Sequence, residues 1–135
     1  MEPRFLLDTN TIIYIRRETP VGVREAFSKL QQGEAIVSVI TYGELMYGVS
    51  KSSRKEAAIA TLRELMQILP LTPLPGAAGA IYGEIRADLE SKGKIIGNND
   101  LWIAAHALAA GLILITNNER EFRRVKGLKV QNWVA

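Results

Sequence analysis

The chain has 135 residues, 47% of them hydrophobic and none of them cysteine, which fits one compact domain with an ordinary core and excludes a disulfide framework or thiolate-ligated zinc or iron. Its 17 Lys and Arg against 14 Asp and Glu leave a net charge of +3, a balance that suits a polyanionic partner yet is also found on ordinary solvated surfaces. The opening Met1-Glu2-Pro3-Arg4 reads as no signal peptide, and no apolar run reaches the length of a membrane span, so a cytoplasmic protein that does not enter a membrane is expected.

Arg4 to Leu7 reads as a short buried strand ending at Asp8, and Thr9-Asn10-Thr11 opens an apolar helix through Ile12, Ile13 and Ile15. Thr19-Pro20 has the form of an N-cap followed by a first-turn proline, predicting a second helix that runs to Gln32-Gly33. Ala35 to Ile40 is rich in strand formers, and Thr41 begins a third helix ending near Ser50. A fourth helix follows the polar link 51–55 and reaches Gln67; Ile68 to Leu74, with Pro70 and Pro73, is an edge strand or extended connection.

Gly76 to Lys92 is an alanine-rich helix closed by Gly93, and Lys94 to Asn99 a loop. Asp100 to Ala110 is a helix stopped by Gly111, Leu112 to Thr116 a buried strand, and Asn117-Asn118 a turn into a short helix holding Glu119, Glu121, Phe122 and Val125. Leu128 to Trp133 closes the chain as a last strand. Strands separated by helices in this rhythm predict an α/β fold of three layers, α/β/α, around a central, mostly parallel sheet of four to five strands, in one domain over 1–135.

Asp8, Glu44 and Asp100 each stand where an apolar run stops and a helix begins. In an open parallel sheet the carboxyl ends of the strands line one rim, so acids at such junctions can converge despite their separation in sequence. Converging carboxylates repel one another unless a cation lies among them, which points to a hard metal ion and to chemistry on phosphate.

Each acid has a simpler explanation. Asp8 can cap the helix that follows it. Asn10, two residues on, is the side chain expected to hold the Asp8 carboxylate in one rotamer. Thr41-Tyr42-Gly43-Glu44 has the form of a capping box, against which stand Gly43 and Gly48, each costing roughly 1 kcal/mol inside a helix and together offering a bare surface to a nucleic acid backbone. Gly48 near the helix end has the competing role of a stop. A first-turn Asp100 would complement the helix dipole; Asn98 or Asn99 would take the capping position and leave that acid free.

Thr116 and Asn117, at the end of the fourth strand, are expected to reach the same pocket, Thr116 as a hydroxyl for water or phosphate or merely as a satisfied strand end. Glu121 is either the partner of Asn118 or a fourth acid. His106, six residues after Asp100, points about 240° around that helix and reads as structural. One histidine and no cysteine leave no His-rich zinc site and no serine-hydrolase triad. Arg86, Lys94 and Arg120 belong to scattered basic groups, which are usually just solvated faces; the alternative for these three is contact with a nucleic acid.

Taken in order, Leu7-Asp8-Thr9-Asn10, Thr41 to Gly48, Ile85-Arg86-Ala87 before Gly93, Ile96 to His106, and Thr116-Asn117-Asn118 followed by Glu121-Phe122 make the whole chain resemble a PIN-domain protein, and more closely a VapC-family toxin of a bacterial type II toxin–antitoxin pair. The resemblance implies a metal-dependent endoribonuclease that cleaves structured RNA, tRNA above all, and is held inactive by a VapB-type antitoxin. The VapC-like group that this chain most resembles attacks the initiator tRNA in its anticodon stem-loop. A homodimer, and a larger hetero-oligomer with the antitoxin, are implied in the same way.

Asp8, Glu44 and Asp100 match the family's acidic site and are expected to hold Mg²⁺ or Mn²⁺, one ion in the absence of RNA. Where many members carry a fourth aspartate this chain has Asn117, which leaves Glu121 as the substitute. Two rivals stay open at the level of sequence: a receiver-like Mg²⁺-binding signalling module, and a catalytically inactive RNA-binding PIN domain. The receiver needs a phosphoacceptor aspartate after the third strand, where Leu71-Thr72-Pro73-Leu74-Pro75 carries no acid.

Overall fold

A computed structural model describes residues 2–134, so Met1 of the opening segment lies outside the described residues. The elements in chain order are β1 (Phe5–Leu7), α1 (Thr9–Arg17), α2 (Val21–Ser28), β2 (Ala35–Ser38), α3 (Val39–Lys51), α4 (Lys55–Ile68), β3 (Leu71–Thr72), α5 (Ala78–Ser91), α6 (Asn98–Ala110), β4 (Ile113–Ile115), α7 (Glu119–Phe122) and β5 (Val130–Gln131). The strands form one sheet in the order β3-β2-β1-β4-β5, every neighbouring pair parallel. The expected three-layer α/β fold is therefore present, with five strands.

Side chains of a strand alternate between its faces, and the two cores follow that period. Leu6, Ile36 and Leu114 pack with Ile85 and Leu89 of α5 and Leu101 and Ala104 of α6. Phe5, Leu7, Val37 and Ile115 pack on the opposite face with Ile12 of α1, Val23 of α2 and Leu65 of α4. Burying the sheet on both sides is what a parallel arrangement requires, since its crossover helices must lie on its faces.

The sheet order places the site. β1 is central, with β2 on one side and β4 on the other, so the chain reverses its direction of winding beside the carboxyl end of β1. Leu7 is in register with Ile115, which sets Asp8 beside Thr116 just past the strand ends. Among the described residues no helix is long and apolar enough to cross a membrane.

Several boundaries differ from expectation. The strand expected through Ile40 stops at Ser38, whose hydroxyl accepts from the Ile40 N–H at 3.1 Å and starts α3 at Val39. Local hydroxyl capping thus overrides the strand preference of Val39 and Ile40. Thr19 does not cap α2: Pro20 holds that position without a side-chain bond. That helix ends at Ser28, where Lys29 and Leu30 N–H groups close back on Ala26 and Phe27. Gly48 is no stop, because α3 runs three residues further to Lys51. Gly111, by contrast, ends α6 with the left-handed backbone (φ 67°) that glycine adopts freely.

Candidate active site

Asp8 is 7% exposed and uses both carboxylate oxygens. Oδ1 accepts the Thr11 N–H at 2.9 Å, the capping bond predicted from sequence, while Oδ2 accepts the Thr116 hydroxyl. Thr116 is fully buried and its oxygen also accepts the Asn118 N–H at 2.9 Å. Capping and placement at the rim are thus one arrangement rather than alternatives. Asn10 does not contribute: its side chain is exposed and makes no bond to Asp8 among the described residues, because the first turn of α1 carries it outward while Thr11 faces in.

Glu44 is not part of a capping box. With α3 beginning at Val39, Thr41 lies inside the first turn, fully buried, with its hydroxyl unpartnered among the described residues. Glu44 Oε1 instead accepts the Thr9 hydroxyl at 2.9 Å, tying α3 to the first turn of α1 across 35 residues. Thr9 was missed in the sequence, where nothing distinguishes it from an ordinary helix-start threonine.

Asp100 sits in the first turn of α6, where Gly97 holds the N-cap position without a side chain. Asn98 and Asn99 are therefore the first residues of the helix and not its caps. Burial pushes the Asp100 carboxyl up to about 6, and the charges of Glu44, Glu121 and Asp8 add to the effect in that order. The positive end of α6 favours an anion at this position, typically by 0.3–1 kcal/mol. The upward shift means that burial and repulsion outweigh it.

Four carboxylates thus lie within electrostatic reach of one point on the rim. Glu44, Gly97, Asn98, Asn99 and Asp100 line an open cleft there. Glu121 accepts the Asn118 side-chain amide at 3.0 Å, so it is both the partner of Asn118 and a fourth charge near Asp100. Asn117 is drawn elsewhere: its amide meets the Tyr14 hydroxyl at 3.5 Å and accepts from Asn132 at 3.0 Å.

All of these donors are carboxylate oxygens, the chemistry that suits Mg²⁺ or Mn²⁺. Burial and the repulsion of neighbouring acids, which together raise Asp100, are what a divalent cation would offset. No three acidic or imidazole side chains among the described residues converge tightly enough to enclose an ion on their own.

His106 is buried away from the cleft, its Nδ1 3.0 Å from the Ser38 hydroxyl, and burial lowers its pKa. Arg86 is exposed on α5, yet it is linked to the rim: it donates to the Tyr82 hydroxyl at 2.8 Å, and that hydroxyl donates to Asn98. Tyr82 also stacks on Trp102, with ring centroids 3.8 Å apart and planes 12° from parallel. Lys94 and Arg120 are exposed and make no side-chain bond among the described residues.

The PIN-domain family pattern matches residues 5–128. Among curated relatives, Ribonuclease VapC2 of Haemophilus influenzae is 41% identical over 131 residues, covering 97% of this chain and 98% of that protein. The tRNA(fMet)-specific endonuclease VapC of Shigella flexneri is 40% identical over 130 residues, covering 96% and 98%. Among solved structures, VapBC2 from Rickettsia felis bound to a DNA fragment from its promoter superposes with a TM-score of 0.88 at 38% identity, covering 96% of this chain and 98% of that one. DNA-bound VapBC from Salmonella typhimurium gives 0.89 at 37% identity, covering 97% and 98%.

Proposed function

The chain belongs to the PIN-domain family, among its VapC ribonucleases, and on that premise we propose that it is a metal-dependent endoribonuclease toxin acting in the cytoplasm on tRNA. The observation that carries the reading is the raised Asp100 carboxyl, produced by burial together with Glu44, Glu121 and Asp8. A buried carboxyl raised by neighbouring acids at a sheet rim is suited to a cation and a phosphate.

Asp8 and Asp100, directly or through water, and Glu44 would hold Mg²⁺ or Mn²⁺, with Glu121 as the substitute for the aspartate absent at Asn117. A bound ion would lower the pKa of a water and neutralise charge developing on the scissile phosphate. The rest falls to the protein. Thr11 and Thr116 hold Asp8 in one rotamer. Thr9 occupies one oxygen of Glu44, leaving the other to orient the attacking water. Water attacks phosphorus and the P–O3′ bond breaks, leaving a 5′-phosphate and a 3′-hydroxyl. Histidine-driven attack by the 2′-hydroxyl has no counterpart here, since the chain's one histidine, His106, is buried against Ser38.

The initiator tRNA anticodon stem-loop is the proposed substrate, supported by the name of the Shigella relative. A VapB-type antitoxin is the proposed partner, in a hetero-oligomer built on a homodimer of this chain, supported by the VapBC complexes. A largely apolar groove between α1, α3 and α4, with Ile12, Ile13, Leu45, Val49 and Leu62 along it, runs up to Thr9 and Glu44. A peptide seated in it would end over the acids and block them.

The deciding experiment incubates purified protein, freed of any antitoxin, with total RNA and maps the cut sites and their end groups. Cleavage is expected with Mg²⁺ or Mn²⁺, and none in chelator or with Asp8→Asn. Cleavage that survives the chelator would overturn the metal; cleavage spread over RNAs without preference for the initiator tRNA would overturn the substrate.

A further inference from the structure

We propose that Tyr47, with the bare Cα of Gly43 and the side chain of Val39, forms a stacking subsite for one unpaired nucleobase flanking the scissile phosphate, an inference that rests on the ribonuclease reading above. Positions 39, 43, 47 and 51 of α3 are successive i,i+4 neighbours and so form one row along the helix. Tyr47 is 64% exposed and Val39 40%, both unusually open for large apolar side chains beside a cleft. A Cβ added at Gly43 would meet no atom within 4 Å beyond its own helix backbone and chain neighbours, among the described residues. The glycine is therefore not there for packing; it keeps the face between the two side chains flat.

This shelf is continuous with the acid cleft. Glu44 and Asn99 line both, and Thr9, which bonds Glu44, lines the shelf. At its far end the Lys51 ammonium lies 5.2 Å from the centroid of the Tyr47 ring. From the acid cleft the shelf thus passes Glu44 and Gly43 to the Tyr47 ring, beside which the Lys51 ammonium lies. That arrangement matches a phosphate at the acids with its bridging cation, a base laid over Gly43 against the ring, and a second phosphate at the lysine. Loop bases, already unstacked, pay least to lie on such a platform.

The test is steady-state cleavage of a synthetic initiator-tRNA anticodon stem-loop by purified protein in Mg²⁺. Tyr47→Ala is expected to raise KM about ten- to a hundredfold with little change in kcat, and Tyr47→Phe to restore it, as stacking requires. Gly43→Leu fills the shelf from the other side: KM rises similarly while the melting temperature is unchanged or higher. A hairpin lacking the base next to the mapped cut, on one side or the other, should reproduce the loss with the wild-type protein and add nothing to Tyr47→Ala.

Wild-type KM in both Tyr47→Ala and Gly43→Leu overturns the subsite alone, because the unmodified protein still cleaves. A loss indifferent to the abasic hairpin, accompanied by dissociation of a dimer in light scattering, overturns it in favour of a contact between two copies. A wild-type protein that cleaves no RNA overturns the ribonuclease reading, and the subsite with it.

Discussion

The Thr116 hydroxyl donates to Asp8 across 108 residues of sequence, at the point where β1 and β4 end side by side. Thr116 donates its proton there and accepts one from the Asn118 N–H, so it holds the acid to the turn that follows β4. Thr116→Val keeps the shape and removes both bonds. Leaving a buried carboxylate oxygen unpartnered should cost roughly 1–3 kcal/mol of stability, and loosening Asp8 should lower kcat/KM by about ten- to a hundredfold. Thr116→Ser should recover most of both. Chemical denaturation and cleavage kinetics on the three proteins test this, and an active, stable valine variant would remove Thr116 from the site.

Thr9 acts on Glu44 in the same way but at a more open place. Thr9→Val is predicted to lower kcat about tenfold and to change stability by no more than about 0.5 kcal/mol. An unchanged kcat would mean that Glu44 needs no fixed rotamer.

Asp100 should weigh against stability in metal-free protein. Its folded pKa, about 6, lies above the ordinary value of 3.8. Between those values the folded state holds the extra proton, so stability falls as pH rises. The cost is absent below about 3.8 and full above about 6. Asp100→Asn in chelator should thus be more stable than the wild type at pH 8, by about 1 kcal/mol after solvent screening is allowed for, and equal to it at pH 3.5 while losing cleavage altogether. Mg²⁺ should raise the melting temperature of the wild type far more than that of the variant.

His106 gives the opposite slope. Burial lowers its pKa from 6.5, so below about 6.5 the unfolded chain takes up a proton that the folded state refuses. Stability contributed by the neutral ring is complete above 6.5 and drains away as pH falls toward the folded value. His106→Gln, which can still meet the Ser38 hydroxyl, should flatten that part of the profile without changing cleavage. Persistence of the slope in His106→Gln would assign it to other groups.

The acids were legible because each stands at a junction with a local signature: an apolar run, a capping residue, then helical spacing. Asp8 illustrates this, since its bond to Thr11 spans only three residues. The family resemblance, the layered α/β fold and the parallel sheet all followed from such short-range pattern. Asn10 and the Thr41–Glu44 capping box were misread for a related reason. A residue's nearness in sequence does not say which way its turn faces, and the Ser38 hydroxyl moved the start of α3 forward by two residues.

What the sequence determined by itself was which residue types lie at the ends of which elements, because capping and periodicity act over a few residues. Tertiary structure alone decided their partners. Thr116 on Asp8, Thr9 on Glu44, and the charges of Glu44, Glu121 and Asp8 on Asp100 depend on strand order and register. Those are set by burial of both sheet faces at once, a condition no local stretch of the chain contains.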